Sequence, residues 1–388
     1  MADIRDAAYY DLVGRSLAGI SYQEFVDTVF ADKYNAPDTS GFVWDEEIQM
    51  DFTYHQLQAE LGIYAMATYV DLDSPAPLRS VDGIEINTGK IPRMKHGFKL
   101  NEKIIREQMI MAGKGAFDAA AENAILTVLY NSTDKLIGGN YNTLKYQRHQ
   151  AVSTGKFTLL NTNNPQGLQN VTFDFKVPPG NITTKTSTAR WWTDDAYTTE
   201  GSASDPVADL VALVKAAEDA YAPVGVIEVS QKCFTRFLGH SKVRIALGYY
   251  YNPEAASDTI ASNIAKRLSK EESRVLLERK LGYPIHIIDS VSEVESYDKA
   301  TKSIVKTRLS SFDEDAWVLM PDGEIGTIKA VQPIIIPDPA ARIALYDGGR
   351  TVLTQTFDAK NKYQYIESEL TALCVPNRTK YMYYLKIK

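Results

Sequence analysis

Apolar positions recur every three or four residues over Phe117–Leu136 (FDAAAENAILTVLYNSTDKL), with Ala121, Ile125, Val128 and Leu129 on one face. The spacing predicts a helix roughly 30 Å long at 1.5 Å per residue. Gly138-Gly139 is expected to end it, and a further helix over Tyr141–Ser153 to stop at Gly155. Upstream, Asn101 is an N-cap for a helix beginning NEKIIREQ, with Glu102 in its first turn. Before that the pattern is extended. Met66–Leu100 (MATYVDLDSPAPLRSVDGIEINTGKIPRMKHGFKL) has many Gly, Pro and charged positions and little apolar surface of its own. Leu57–Tyr69 reads as a helical turn that becomes extended, and Val70–Leu100 as a hairpin with turn signals at Ser74-Pro75-Ala76-Pro77, Asp82-Gly83 and Thr88-Gly89. An arm that cannot fold over its own core is expected to lie on a neighbouring copy, which favours an assembly protein over an enzyme. Residues 1–60 space Tyr9, Tyr10, Phe25, Phe30, Trp44, Phe52 and Tyr54 among polar stretches, an arm expected to pack against something else.

The second half changes period. Val171–Val177 alternates as a strand and leads to a Pro178-Pro179-Gly180 turn and an aromatic loop, Ala189–Thr198. After a soft linker, Glu200–Ser204, Asp205 caps a helix with Pro206 at its first position and Val207, Leu210, Val211 and Val214 as its buried stripe. Strand Gly225–Ser230, helix Gln231–Leu247, helical Ser257–Leu277 and strands Tyr283–Ile288, Ala316–Met320 and Ile325–Ile336 then alternate. This order, from about 205 to 330, reads as an α/β unit whose sheet is buried by helices. Tyr363–Lys388 is β-rich and ends in Tyr381-Met382-Tyr383-Tyr384-Leu385.

With 388 residues, 44% of them hydrophobic, the chain can bury a sizeable core. It has no run near the ~20 apolar residues that cross a bilayer, and MADIRDAAYYDLVG lacks a basic start and an apolar signal core, so cytoplasmic synthesis is expected. Net charge is −7, which argues against a protein that grips nucleic acid through a basic face. The acid is concentrated: residues 1–60 sum to −9, leaving +2 for the other 328. Residues 85–114 carry seven basic side chains against three acidic ones, and residues 375–388 carry four basic and no acidic ones. Such opposite-sign segments can dock between subunits, or serve only as solvated faces.

No catalytic constellation emerges. Gly113-Lys114-Gly115 lacks the spacing and the Ser/Thr of a phosphate loop, and Asp71-Leu72-Asp73-Ser74 lacks the glycine and distal glutamate of a calcium loop. The histidines, His55, His96, His149, His240 and His286, are scattered, and Cys233 and Cys374 belong to no metal-ligand or disulfide pattern. Ser230 has no GxSxG elbow and no local base. Asp194-Asp195 and Asp313-Glu314-Asp315 read as solvated loops. Trp191-Trp192 beside Arg190 suits an interface hot spot and suits buried core equally. No cofactor and no metal is expected.

Lys90-Ile91-Pro92-Arg93, the helix from Phe117, Val226-Ile227-Glu228-Val229-Ser230 through Phe234, Gly239-His240-Ser241-Lys242-Val243-Arg244, and Trp317-Val318-Leu319-Met320-Pro321 followed by Gly323 and Gly326 resemble the major capsid proteins of tailed bacteriophages, in the lambda-type capsid protein E branch. The resemblance implies an α+β, Hong Kong 97-like fold. Its parts fall on residues 1–60 as N-terminal arm and 61–100 as the extended E-loop hairpin. Residues 101–204 become a peripheral domain with a spine helix, 205–336 an α/β axial domain, and 337–388 strands returning to the peripheral domain. It also implies a non-enzymatic shell subunit that self-assembles into hexamers and pentamers, an icosahedral virion enclosing double-stranded DNA without sequence-specific binding. A separate scaffold protein, a portal and a decoration protein are the implied partners. The implied inter-subunit residues are Asp82, Gly83, Lys90, Pro92, Arg93, Lys95, Trp191 and Trp192, with Lys90 and Lys95 placed for cross-linking by position alone. The alternatives are an encapsulin-like compartment and an oligomeric enzyme whose site is assembled from scattered loops.

Overall fold

The computed structural model describes residues 22–30, 43–58, 85–101, 103, 119–165, 167–298, 301, 303–336, 341–358 and 363–387. Helix α1 (Tyr22–Phe30) precedes strands β1 (Val43–Gln49), β2 (Thr53–Gln58), β3 (Glu85–Lys90) and β4 (Arg93–Asn101). Helix α2 (Ala119–Thr154) leads to β5 (Lys156–Leu159), β6 (Val171–Asp174) and β7 (Ile182–Thr184). Then come α3 (Pro206–Asp219), β8 (Val224–Ser230), α4 (Gln231–Gly239), α5 (Ser241–Tyr251), α6 (Asp258–Ala265), α7 (Lys270–Leu281) and β9 (Ile285–Ile288). Strands β10 (Val291–Asp298), β11 (Ser303–Ser310), β12 (Ala316–Pro321), β13 (Glu324–Val331), β14 (Ala341–Tyr346), β15 (Thr351–Asp358), β16 (Tyr363–Pro376) and β17 (Tyr383–Lys386) complete the chain.

Two sheets organise these elements. The larger runs β1-β13-β16-β15-β14, and β4 also pairs with β16. The 14-residue β16 takes β4 along Tyr363–Thr371 and β13 along Ala372–Pro376. The smaller sheet runs β7-β17-β12-β8-β9, with β8 and β12 wholly or mostly buried. Its helices cover Ile227, Val229, Trp317 and Leu319 with Leu210, Phe234, Phe237 and Leu277. The α/β unit expected from about 205 to 330 is therefore present, but its sheet also recruits β7 and the last strand, β17. Residues 383–386 thus leave the larger sheet, and β13, expected among the α/β strands, joins it.

Helix α2 is 36 residues long, about 54 Å at 1.5 Å per residue. It runs through Gly138-Gly139, where the sequence predicts a stop, and ends at Gly155 with φ +72°. Glycine costs a helix about 1 kcal/mol relative to alanine, but here its bare face is occupied. A Cβ on Gly139 would collide with the His96 ring, whose Nε2 lies 2.8 Å from the Leu136 carbonyl. Beyond the glycines the inward face is largely polar: Asn140 donates to Ser368 Oγ at 2.5 Å, and Gln147 Oε1 accepts from Cys374 N at 3.4 Å. Hydrophobic spacing alone does not register such a face.

The N-terminal arm also differs from expectation where it is described. Tyr22 and Val26 pack with Leu136, Ile137, Ala344 and Tyr346, and Gln23 exchanges hydrogen bonds with the Leu345 backbone. Strand β1 pairs in parallel with β13, with Glu46 on Arg350 at 2.9 Å and Glu47 on Lys329. Both pieces pack on their own chain. The expected helix at Asn101 lies outside the described residues.

Candidate functional site

The surface built around strands β2, β3 and β4 is the candidate site. Its outgoing strand is β2, within the residues assigned to the N-terminal arm by sequence, and it pairs antiparallel with β3 from Thr53↔Lys90 to Gln58↔Glu85. The ladder is anchored by two amides that sequence reasoning passed over. Gln56 Nε2 donates to the Pro376 carbonyl, and Asn87 Nδ2 reaches Gln56 Oε1 at 3.1 Å and the Asp174 carbonyl at 2.8 Å. Gln56 is fully buried, and an amide so placed needs partners. Gly89 lets the Tyr54 ring lie flat on the strand, since a Cβ there would sit 2.6 Å from Tyr54 Cε1.

At Ile91-Pro92 the backbone leaves one ladder and enters another. Ile91 N donates to Phe52 O at 2.7 Å, its side chain enters a core with Tyr54, Phe157, Phe173 and Phe175, and Pro92 supplies no donor at the corner. Strand β4 then alternates cleanly. Met94, His96 and Phe98 face inward, Leu100 is buried, and Arg93, Lys95 and Lys99 face out. Glu369 pairs with Arg93 at 3.1 Å and Lys95 at 2.6 Å, and Lys99 Nζ lies 3.9 Å from the centre of the Tyr363 ring. With exposed Lys90 one strand earlier, these side chains form a cationic stripe along the root of the arm.

Beside the stripe is a cavity of about 570 Å³ lined by Tyr54, Lys90, Pro92, Leu168, Phe173 and Asp174, among others. Burial raises the Asp174 carboxyl, but the Lys176 N–H and the Lys156 ammonium, 3.0 Å away, outweigh it and hold the group below the usual carboxylate range. Burial, reinforced by Asp174, raises the Tyr54 hydroxyl. The lining sets the apolar Leu168, Val171 and Phe173 beside the Asp174 carboxylate and the Lys90 and Arg93 cations.

Of the residues expected at an interface, Lys90, Pro92, Arg93 and Lys95 are thus brought together, while Asp82 and Gly83 lie outside the described residues. Trp191 and Trp192 are corrected: they are 0% and 6% exposed and belong to the α/β core. Trp191 donates to Asp209 Oδ2 at 2.8 Å and packs at a tilt against Phe237 and edge-on against Trp317. Buried within the α/β core, neither indole lies at the surface where a neighbour could meet it.

Elsewhere the polar candidates are structural. Asp315 binds Tyr197 Oη at 2.8 Å and Arg236 at 3.3 Å, and Glu314 binds Lys232 at 2.5 Å. The Asp313-Glu314-Asp315 loop is therefore ion-paired and not simply solvated. Burial pushes the Cys233 thiol up, away from reactivity. Among the described residues no group of three His, Cys, Asp or Glu side chains could hold a metal ion, and no helix is long and apolar enough to cross a membrane.

Comparison with known proteins places this geometry. No curated protein matches the chain. Among solved structures it is similar to the putative capsid protein of a prophage of E. coli CFT073 (15% identity, TM-score 0.44, covering 79% of this chain and 80% of that one). It is also similar to the capsid of cyanophage P-SCSP1u (10%, 0.46, 93% and 94%) and to a virus-like particle from Pyrococcus furiosus (9%, 0.38, 95% and 100%). The model of the family described as phage major capsid protein E matches residues 35–387, from before β1 to the end of β17, and on that match the chain belongs to the phage major capsid protein E family.

Proposed function

We propose that copies of this chain gather into hexamers and pentamers and close as the icosahedral head of a tailed phage around its double-stranded DNA. The carrying observation is the family match across residues 35–387, which includes the arm's described strands, both sheets and helix α2. The family is one of shell proteins, so the role is structural. In the arrangement we favour, the arm lies across a neighbouring copy, and Lys90, Pro92, Arg93 and Lys95 at its root meet that neighbour. Charge supports this docking: the stripe is basic, while residues 1–60 of every copy carry −9. Identical subunits in head-to-tail contact close into rings, and many weak contacts sum to a stable shell. An acidic chain suits this task, because DNA confined by a wall need not be bound by it. A separate scaffold, a portal and a decoration protein complete the reading, with assembly in the host cytoplasm.

The test is the mass and shape of the expressed protein by light scattering and negative-stain microscopy, alone and with co-expressed scaffold. Closed megadalton particles or ring-shaped capsomers are expected. A monodisperse monomer or dimer under both conditions refutes the proposal. Nuclease-protected DNA in particles from infected cells separates a genome container from one that holds protein cargo.

A further inference from the structure

Strands β10 and β11 form a ribbon joined to no other strand among the described residues, so within these both of its edges have backbone N–H and C=O groups to offer. A two-stranded ribbon alone is marginal in water, and this one is exposed along most of its length. Val291, Ile304 and Val305 are 59%, 62% and 42% exposed. Its root is tied down, where Ser311 N donates to Ser290 O and Gln150 Nε2 to Ser311 O.

The charges on this ribbon are sorted by strand. Glu293 stands opposite Arg308 and Glu295 opposite Lys306, so all four share one face, with the acids in a column on β10 and the bases in a column on β11. Within the ribbon Lys306 Nζ lies 2.7 Å from Glu293 and 2.9 Å from Glu295. The ribbon thus has an acidic edge and a basic edge. That polarity discriminates between ways of joining two copies. A two-fold pairing sets β10 against β10 or β11 against β11, acid on acid or base on base. A head-to-tail pairing sets β11 against the next copy's β10. Ribbons standing side by side at equal height then run antiparallel at the new junction, and Arg308 and Lys306 come level with the neighbour's Glu293 and Glu295.

We propose that the basic β11 edge of one copy pairs with the acidic β10 edge of the next, so that the ribbons close into a ring whose charge columns alternate in sign. This rests on the shell-subunit reading and names the contact that makes its rings cyclic and not two-fold.

The test uses the full chain with both columns reversed, E293K/E295K/K306E/R308E, which keeps every pair within the ribbon. Alone it forms rings like the wild type. Dissociated, mixed in equal amounts with wild type and reassembled, it sorts, with mixed rings at least tenfold below the random proportion by native mass spectrometry; random mixing overturns the proposal. In a second test E293K/E295K and K306E/R308E each assemble poorly alone, whereas their mixture restores alternating six-membered rings but not five-membered ones. Wild-type yields from either variant alone overturn the proposal. Failure of the wild type itself to form rings refutes the shell reading first, and so is distinguishable from failure of the ribbon contact.

Discussion

His240 shows how a single buried ring couples distant segments. Its Nε2 lies 3.0 Å from Ser204 Oγ, and that hydroxyl donates to the Gly201 carbonyl at 2.6 Å, so the imidazole supplies the proton between them. The neutral tautomer is then Nε2–H, and a second proton must go to Nδ1, which is buried without a hydrogen-bond partner among the described residues. Burial therefore holds the ring's pKa below 6.5, although Glu200 and Asp205 oppose this; Lys242 and Arg244 add to it. His96, against the Leu136 carbonyl, is shifted the same way, again by burial first. A depressed folded-state value means that the unfolded chain binds protons first on acidification. The stabilisation is complete above about pH 6.5 and is lost as pH falls toward and through the folded values. Unfolding free energies from urea titrations between pH 7.5 and 5 are expected to decline, by at most about 1.4 kcal/mol per pH unit for each histidine. The double variant H96Q/H240Q is expected to flatten that slope. A wild-type profile already flat across this window contradicts the assignment.

At the scale of elements, the same substitution acquires opposite signs from its surroundings. Gly239 ends α4 with open space where a Cβ would go, so Gly239→Ala is expected to stabilise by about 0.5–1 kcal/mol through helix propensity and a stiffer unfolded chain. Gly248 lies in α5 against α6, where a Cβ would sit 2.6 Å from Ala261 Cα and closer still to its carbonyl. Backbone cannot rotate aside, so Gly248→Ala is expected to cost about 1–3 kcal/mol by overpacking. Thermal melts of the two variants check the pair, and shifts of one sign refute it. Local signals of this kind were legible where the chain itself supplies the partner. Asp205-Pro206 opens α3 as the residues dictate, with Asp205 accepting from Ala208 N at 3.1 Å. They were illegible where the partner is remote. Gln231–Leu247 reads as one helix, yet it breaks at His240, because Glu200 from a separate loop accepts from Ser241 N at 2.8 Å and caps a second helix there. The capping box at Ser269 and Glu272 was available in the sequence and marks the similar division between α6 and α7.

For the whole molecule, the return strand β4 was legible in its alternation and its basic side chains, with Pro92 marking the corner before it. The outgoing strand β2 was not, because Thr53–Gln58 (TYHQLQ) offers Tyr54 and Gln56 to the interior, and a buried glutamine breaks the apolar alternation. The structure shows that the root of the arm is held by its own chain through Gln56, Asn87 and Ile91, so the ladder and the segment between its strands can be separated experimentally. Gln58 and Glu85 are register partners at the end of that ladder, and a two-residue Asn-Gly turn joins antiparallel neighbours without strain. If, as proposed, residues 59–84 act through a neighbouring copy, replacing them by such a turn is expected to leave the unfolding free energy within about 0.5 kcal/mol of wild type. On the proposed docking, closed particles are expected to disappear, since a shell held by many weak contacts would lose the one that this segment makes. Circular dichroism and urea unfolding report the first outcome and negative-stain microscopy the second. Shells of normal size and yield from this variant remove the arm from assembly and leave the ribbon contact and the sheet surfaces to carry it.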